Sequence, residues 1–338
     1  MIPFKLRARL SVFFLATLAV IVFFGVACQP PQKPAGPPQT ITIAYPKTML
    51  SILPQIAFEK GYFAAGGLAV TPQLHEFGNP ALQSVLEGKA DLAVSADTPV
   101  MFAVVGGGKI HIVADIGKSR KAIAVVARKD KGISLPADLK GKRIGVAVGT
   151  TGDFYLDSFL LVRGIDRKDV KIIDMKPAEM PDALARGRVD AVSLWNPGLK
   201  QIEKALKDNG VSFYDEHLYS DTACLSAQQD FVRKHPEIIQ KALKALVRAE
   251  AFVQQNPGES KRMIAEFTRM DKPAIEALWD LYRFRVALDQ SLIVSLEDQT
   301  RWAIKNRLTQ RKDMPNYLDF IYVDGLHAVS PESVRIIR

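Results

Sequence analysis

An α/β fold of two similar lobes facing one another across a cleft is predicted by three observations in this 338-residue chain. First, Leu86-Glu87-Gly88-Lys89-Ala90-Asp91 returns as Ala185-Arg186-Gly187-Arg188-Val189-Asp190, and each copy runs into a short apolar segment ending in Ser, at Ser95 and Ser193. Second, the pattern upstream of both copies alternates between strand and helix. Third, 48% apolar residues over this length suffice for two ordinary cores.

The elements follow in order. In the first copy the spacing predicts a strand over 41–45, a helix over 50–60 closed by Gly61, a strand opening at 68–70, a helix over 80–87 and a strand over 91–95. The second copy gives a strand over 143–148, a helix over 153–163 closed by Gly164, a strand over 170–174, a helix over 178–186 and a strand over 191–194. In both copies the Gly before the last strand suits the left-handed turn that ends a helix. Alternating strands and helices pair in parallel through right-handed crossovers, so each copy makes one βαβαβ lobe. After residue 222 the chain turns helical, over 231–255, 259–270, 273–288 and 296–309. That third has no sheet of its own and is expected to pack on a lobe already formed.

Residues 1–27 have the layout of a secretory signal peptide, with Lys5, Arg7 and Arg9 before an apolar run over 12–27 broken only by Thr17. The run is shorter than the about 20 residues of a membrane span. Gly25-Val26-Ala27-Cys28 resembles the lipobox of bacterial lipoproteins, which implies lipidation of Cys28. Residues 28–39 then read as a Pro-rich tether too polar to form a core. With Cys28 lipidated, Cys224 has no disulfide partner and reads as a small buried residue.

The net charge of +9 is scattered among acids, with no basic stripe interleaved with aromatics, which excludes nucleic acid as a partner. Gly106-Gly107-Gly108-Lys109 lacks phosphate-loop spacing and is a loop, and the five His residues show no metal-ligand spacing. No catalytic constellation, cofactor motif or metal site is predicted.

Ligands of open parallel sheets bind beyond the carboxyl ends of the strands, here the loops 45–51, 76–80 and 95–99 of the first lobe and 149–153, 175–178 and 195–197 of the second. Several of these end in hydroxyl or amide residues at a helix start, where free N–H groups make an anion site. The candidate ligand residues are Tyr45, Thr48, Met49, Asn79, Ala96, Asp97, Thr98, Thr150, Thr151, Gly152, Trp195 and Asn196. An anionic head is expected on the helix starts at Thr98 and Thr151, with Trp195 covering the remainder. Asp97 and Asp153 also sit where an acid caps a helix, which is the expected role of both.

Phe58-Glu59-Lys60-Gly61-Tyr62-Phe63, Gly67-Leu68-Ala69-Val70, Leu139-Lys140-Gly141-Lys142-Arg143-Ile144-Gly145-Val146, Val189-Asp190-Ala191, Trp195-Asn196-Pro197 and the ending Ser330-Pro331-Glu332-Ser333-Val334 together resemble periplasmic binding proteins for aliphatic sulfonates, taurine and nitrate. Relatives of that family include thiamine-pyrimidine synthase and binders of pyrimidine precursors. The resemblance implies a two-lobed type II periplasmic-binding-protein fold, each lobe a parallel-rich βαβ sheet with flanking helices. Lobe 1 is expected over 40–125 plus 222–338, taking back the C-terminal helices, and lobe 2 over 126–221. It also implies a monomeric, lipid-anchored, extracytoplasmic subunit of an ABC importer, delivering a small anionic solute to a permease and ATPase. Other occupants on the same scaffold are a pyrimidine or an aromatic acid, and the other uses are a ligand-sensing module or a synthase-like enzyme. Asn196 departs from the acid common between Trp and Pro in this family.

Overall fold

The computed structural model describes residues 37–337; the expected signal segment, Cys28 and most of the tether lie outside them. Strand β1 (Gln39–Pro46) leads through a 3-10 turn at Met49–Ser51 into helix α1 (Ile52–Glu59), then β2 (Leu68–His75), α2 (Gly78–Leu86), β3 (Leu92–Ala96), α3 (Asp97–Val105) and β4 (Ile110–Ser119). The second half runs β5 (Ile123–Arg128), β6 (Arg143–Val146), α4 (Thr151–Leu161), β7 (Lys171–Asp174), α5 (Met180–Ala185), β8 (Ala191–Trp195), α6 (Gly198–Leu206) and β9 (Gly210–Phe213). It returns as β10 (Asp221–Gln228), followed by α7 (Gln229–Lys234), α8 (Pro236–Gln255), α9 (Pro257–Thr268), α10 (Lys272–Leu278), β11 (Tyr282–Arg283), β12 (Leu288–Asp289) and α11 (Gln290–Lys305).

The strands form two main sheets, β11-β4-β10-β3-β1-β2 and β7-β6-β8-β5-β9. Each contains a parallel trio, β2-β1-β3 or β7-β6-β8, followed by one antiparallel strand. That strand is β10 in the first sheet, arriving after the second sheet is complete, and β5 in the second, arriving straight from β4. The crossings therefore lie at 120–122 and 214–220. Both come a few residues before the expected divisions, because β5 from Ile123 on pairs with β8 and Asp221 already pairs with Ser119.

The repeat has a common mechanical purpose. Asp91 receives the Thr42 N–H on Oδ2 at 2.7 Å and gives its own N–H to the Thr42 carbonyl at 2.9 Å. Asp190 does the same with Arg143, at 2.9 Å both ways. Each Asp thus clips the start of the last strand of its trio to the first, and Gly88 and Gly187 turn the chain toward it with φ of 70° and 71°.

The C-terminal helices pack on the first sheet's helices, α8 against α1 and α11 against α3. The helix expected over 273–288 stops at Leu278. Tyr282 and Arg283 instead pair with Ser119 and Lys118 at the edge of β4, where ladder hydrogen bonds outweigh helical preference. Likewise α11 begins at Gln290, six residues before the start expected at 296.

Candidate functional site

A cavity of about 60 Å³ lies beyond the carboxyl ends of the strands and is walled from both sheets. The first contributes Thr48, Met49, Ser51, Phe77, Gly78, Asn79, Ser95, Ala96, Asp221 and Tyr282. The second contributes Thr150, Thr151, Trp195 and Asn196. One water needs about 10–15 Å³ by the same measure, so the space suits a compact solute of a few heavy atoms.

Four helix starts surround it, behind Thr48, Phe77, Ala96 and Thr150, and none is capped there by its own N-cap side chain. At α2 and α4, the N–H groups of Gly78, Asn79 and Thr151 find no acceptor among the described residues. The positive ends of two helices, one from each sheet, therefore meet the cavity with donors to spare. The close approach depends on glycine at α2, since a Cβ on Gly78 falls 2.9 Å from the Ser95 Cα. At α4 a Cβ on Gly152 falls 3.1 Å from the Ser193 carbonyl and 3.4 Å from the Trp195 ring.

Two buried carboxylates and a partly exposed Arg fix the α4 start. Asp153 accepts the Gly149 N–H at 3.0 Å, and Arg167 reaches Asp153 at 2.7 Å and Asp157 at 2.6 Å. Burial raises the Asp153 carboxyl above its usual range, opposed by the Arg167 charge. The other oxygen of Asp157 takes the Trp302 indole N–H at 2.8 Å, tying α4 to α11. Asp153 therefore stands in the first turn of α4 but does not cap it as expected: its carboxylate takes the Gly149 N–H ahead of Thr150 and shares Arg167 with Asp157, an ion-pair cluster that the sequence did not reveal.

Of the twelve expected ligand residues, Thr48, Met49, Asn79, Ala96, Thr150, Thr151, Trp195 and Asn196 border the cavity. The other four do not. Tyr45 points to the opposite side of β1, where its hydroxyl donates to Gln55 at 2.9 Å and its ring meets Phe267, because successive strand residues face opposite ways. Asp97 and Thr98 are wholly buried behind Ala96. The Asp97 carboxylate accepts bonds from Ser295 and Gln299 of α11, both at 2.8 Å, from the Thr98 N–H, and from the Tyr219 hydroxyl. Burial pushes it up to about 6 despite those donors. It anchors the return crossing, and Thr98 is thereby withdrawn from the anion-holding role expected of it. Gly152 supports from behind, its carbonyl accepting the Ser193 hydroxyl at 2.7 Å.

The residues that sequence reasoning missed include Ser51, Phe77, Gly78, Ser95, Asp221 and Tyr282. Ser95 carried a signal, as the end of the repeat; Asp221 and Tyr282 carried none. Asn196 donates to the Tyr282 hydroxyl at 3.3 Å across the two sheets, and its own N–H bonds the Ala122 carbonyl at 3.1 Å. Among the described residues no Lys, Arg or His borders the cavity, and Asp221 is the one carboxyl side chain that does. Among the described residues no group of three or more His, Cys, Asp or Glu is placed to hold a metal, and no helix is long and apolar enough to cross a membrane. Cys224 is buried in β10.

Comparison with known proteins gives a consistent picture. The profile of the family described as NMT1/THI5 like matches residues 54–260. A Brucella abortus protein named as a binding protein is 30% identical over 227 residues, covering 65% of this chain and 69% of that one. The taurine-binding periplasmic protein of Escherichia coli is 24% identical over 248 residues, 72% of either chain. The alkanesulfonate-binding protein SsuA of Xanthomonas axonopodis, solved with MOPS bound, superposes with a TM-score of 0.73 at 18% identity, covering 86% of this chain and all of that one. The aliphatic sulphonate-binding SsuA of Escherichia coli gives 0.70 at 19% identity, over 84% and 99%. The two-lobed periplasmic-binding-protein fold expected from the sequence is thus the fold observed.

Proposed function

The chain belongs to the NMT1/THI5-like family, and on that footing we propose that it is an extracytoplasmic solute-binding protein of an ABC importer. In this reading it captures a compact sulfonate-type anion between its lobes and presents it to a permease. The observation that carries the proposal is the meeting of two uncapped helix N-termini, one from each sheet, at one small cavity that no basic side chain among the described residues borders. Such a site holds a permanent anion through N–H groups and hydroxyls, while a strongly hydrated cationic partner stays absent. Ligand contact with both lobes stabilises the closed arrangement, the crossings at 120–122 and 214–220 serving as hinge. Cys28 tethers the protein to the membrane surface through lipid and the Pro-rich segment.

Thermal unfolding of the purified protein with taurine, short alkanesulfonates and nitrate tests this. A ligand at a hundred times its dissociation constant adds about 2.7 kcal/mol. The same ligand reduces the radius of gyration in X-ray scattering. If no member of the panel shifts the midpoint, the anion assignment is wrong; a shift with an unchanged scattering profile removes the closure mechanism.

A further inference from the structure

One side of helix α8 packs on α1 and the first sheet, while the other follows the helical period through Glu237, Lys241, Lys244, Arg248 and Gln255. Three cations therefore stand in a row behind a single acid. Gln39 occupies the acid's end of that row: its side-chain amide donates to Glu237 at 3.2 Å, and Lys241 donates to its side-chain carbonyl at 2.6 Å. Lys244 and Arg248 are exposed and have no acidic partner among the described residues, the Arg248 guanidinium lying 4.4 Å from the centre of the Tyr62 ring. Like charges one turn apart repel one another, so the row gains from an anionic neighbour. The turn beside Lys241, Ala64-Ala65-Gly66, is exposed and uncharged, which leaves room for a broad surface to approach.

Gln39 also marks where the tether enters the body. Cys28 precedes it by eleven residues, and even fully extended that much chain spans only about 40 Å. A lipid on Cys28 thus keeps the bilayer surface within reach of α8. Resting on the tethered reading above, we propose that the exposed face of α8 is a membrane-docking surface, with Lys241, Lys244 and Arg248 set against the head groups of anionic lipids. The attraction acts within a Debye length, about 8 Å at physiological salt, and the tether supplies the high local concentration that three charges need. The Tyr62 ring, apolar in body and polar at its tip, suits the same boundary. Strand β1 runs from Gln39 to Pro46, which borders the cavity, so the docked end of the first sheet is the one remote from the solute. A docked protein accordingly holds its cavity away from the bilayer.

The test uses the mature chain from residue 28 with Cys28→Ser, which removes the lipid and keeps the tether and body. It should sediment with vesicles containing about one-third phosphatidylglycerol at low salt, release at high salt, and ignore vesicles of phosphatidylcholine alone. Lys244→Glu with Arg248→Glu should weaken the association at least tenfold. Reversing two exposed lysines of the second lobe, Lys171→Glu with Lys204→Glu, makes the same change in net charge and should leave it within about threefold. The milder pair Lys244→Gln with Arg248→Gln should act as the first pair does with a smaller loss, and covers the case in which the doubly reversed protein does not fold. Absence of binding to the anionic vesicles, equal binding to both kinds, or equal losses in the α8 and second-lobe pairs overturns the docking surface. The tether itself is judged separately, by lipid labelling of Cys28.

Discussion

Replacing Arg167 with Met keeps the aliphatic stem and removes the one cation between two buried acids. Asp153 is fully buried and the Asp157 side chain is 7% exposed, so neither carboxylate gains water when the guanidinium leaves. Breaking a buried pair in this way costs about 3–5 kcal/mol. Since the Arg167 side chain is 23% exposed, part of its attraction is already screened, and a loss of about 2–4 kcal/mol is expected. The loss must also depend on pH. Burial already raises the Asp153 carboxyl, and without Arg167 it rises further above its unfolded value. A carboxyl raised in the folded state costs stability while ionised and recovers it as pH falls through the folded value. The deficit of the variant should therefore be largest at pH 8 and smaller at pH 5. Urea unfolding of both proteins, followed by tryptophan fluorescence, measures this, and adding Asp153→Asn to the variant should restore part of the loss. A deficit below about 1 kcal/mol at pH 8, or one that grows in acid, means that Arg167 does not hold the α4 start.

Thr151→Ala should weaken taurine and nitrate alike by about 1.5–3 kcal/mol in calorimetry, whereas Trp195→Ala should weaken taurine more than nitrate; unchanged affinity in both places the ligand elsewhere. Gly78→Ala puts a methyl group 2.9 Å from a backbone carbon, so it should cost about 1–3 kcal/mol in urea unfolding and reduce ligand affinity as well. Native-like stability and binding would show that α2 yields easily. Cys28→Ala should abolish incorporation of labelled fatty acid into the cellular protein, and undiminished labelling would exclude Cys28 as the tether.

The lobes were legible because their strands and helices are local and repeated; the Asp91 and Asp190 clips each bond within a single trio. The loops that border the cavity followed from the direction of the parallel strands. What failed was orientation within those loops. Ser95, Ala96 and Pro99 face the cavity while Asp97 and Thr98 turn inward, a choice settled by Tyr219, Ser295 and Gln299, none of them near in sequence. Tyr282 was unreadable for a related reason. Its neighbours carry a helical pattern, and only the free edge of β4 draws it into a strand and brings its ring to Asn196.

The interleaving of the two sheets bears on how the chain is made. Strand β10 lies between β3 and β4, so a nascent chain that has emerged only to residue 220 holds β3 and β4 with no strand to separate and join them. Two raw strand edges then stay open throughout synthesis of the entire second sheet, and open edges invite pairing with other chains. The first lobe cannot mature ahead of the second, although it begins first. Long-range closure of this kind slows folding. The delay keeps the polypeptide unfinished until nearly seven-tenths of it exists, which favours handling of the whole molecule as one late-folding body over piecewise assembly.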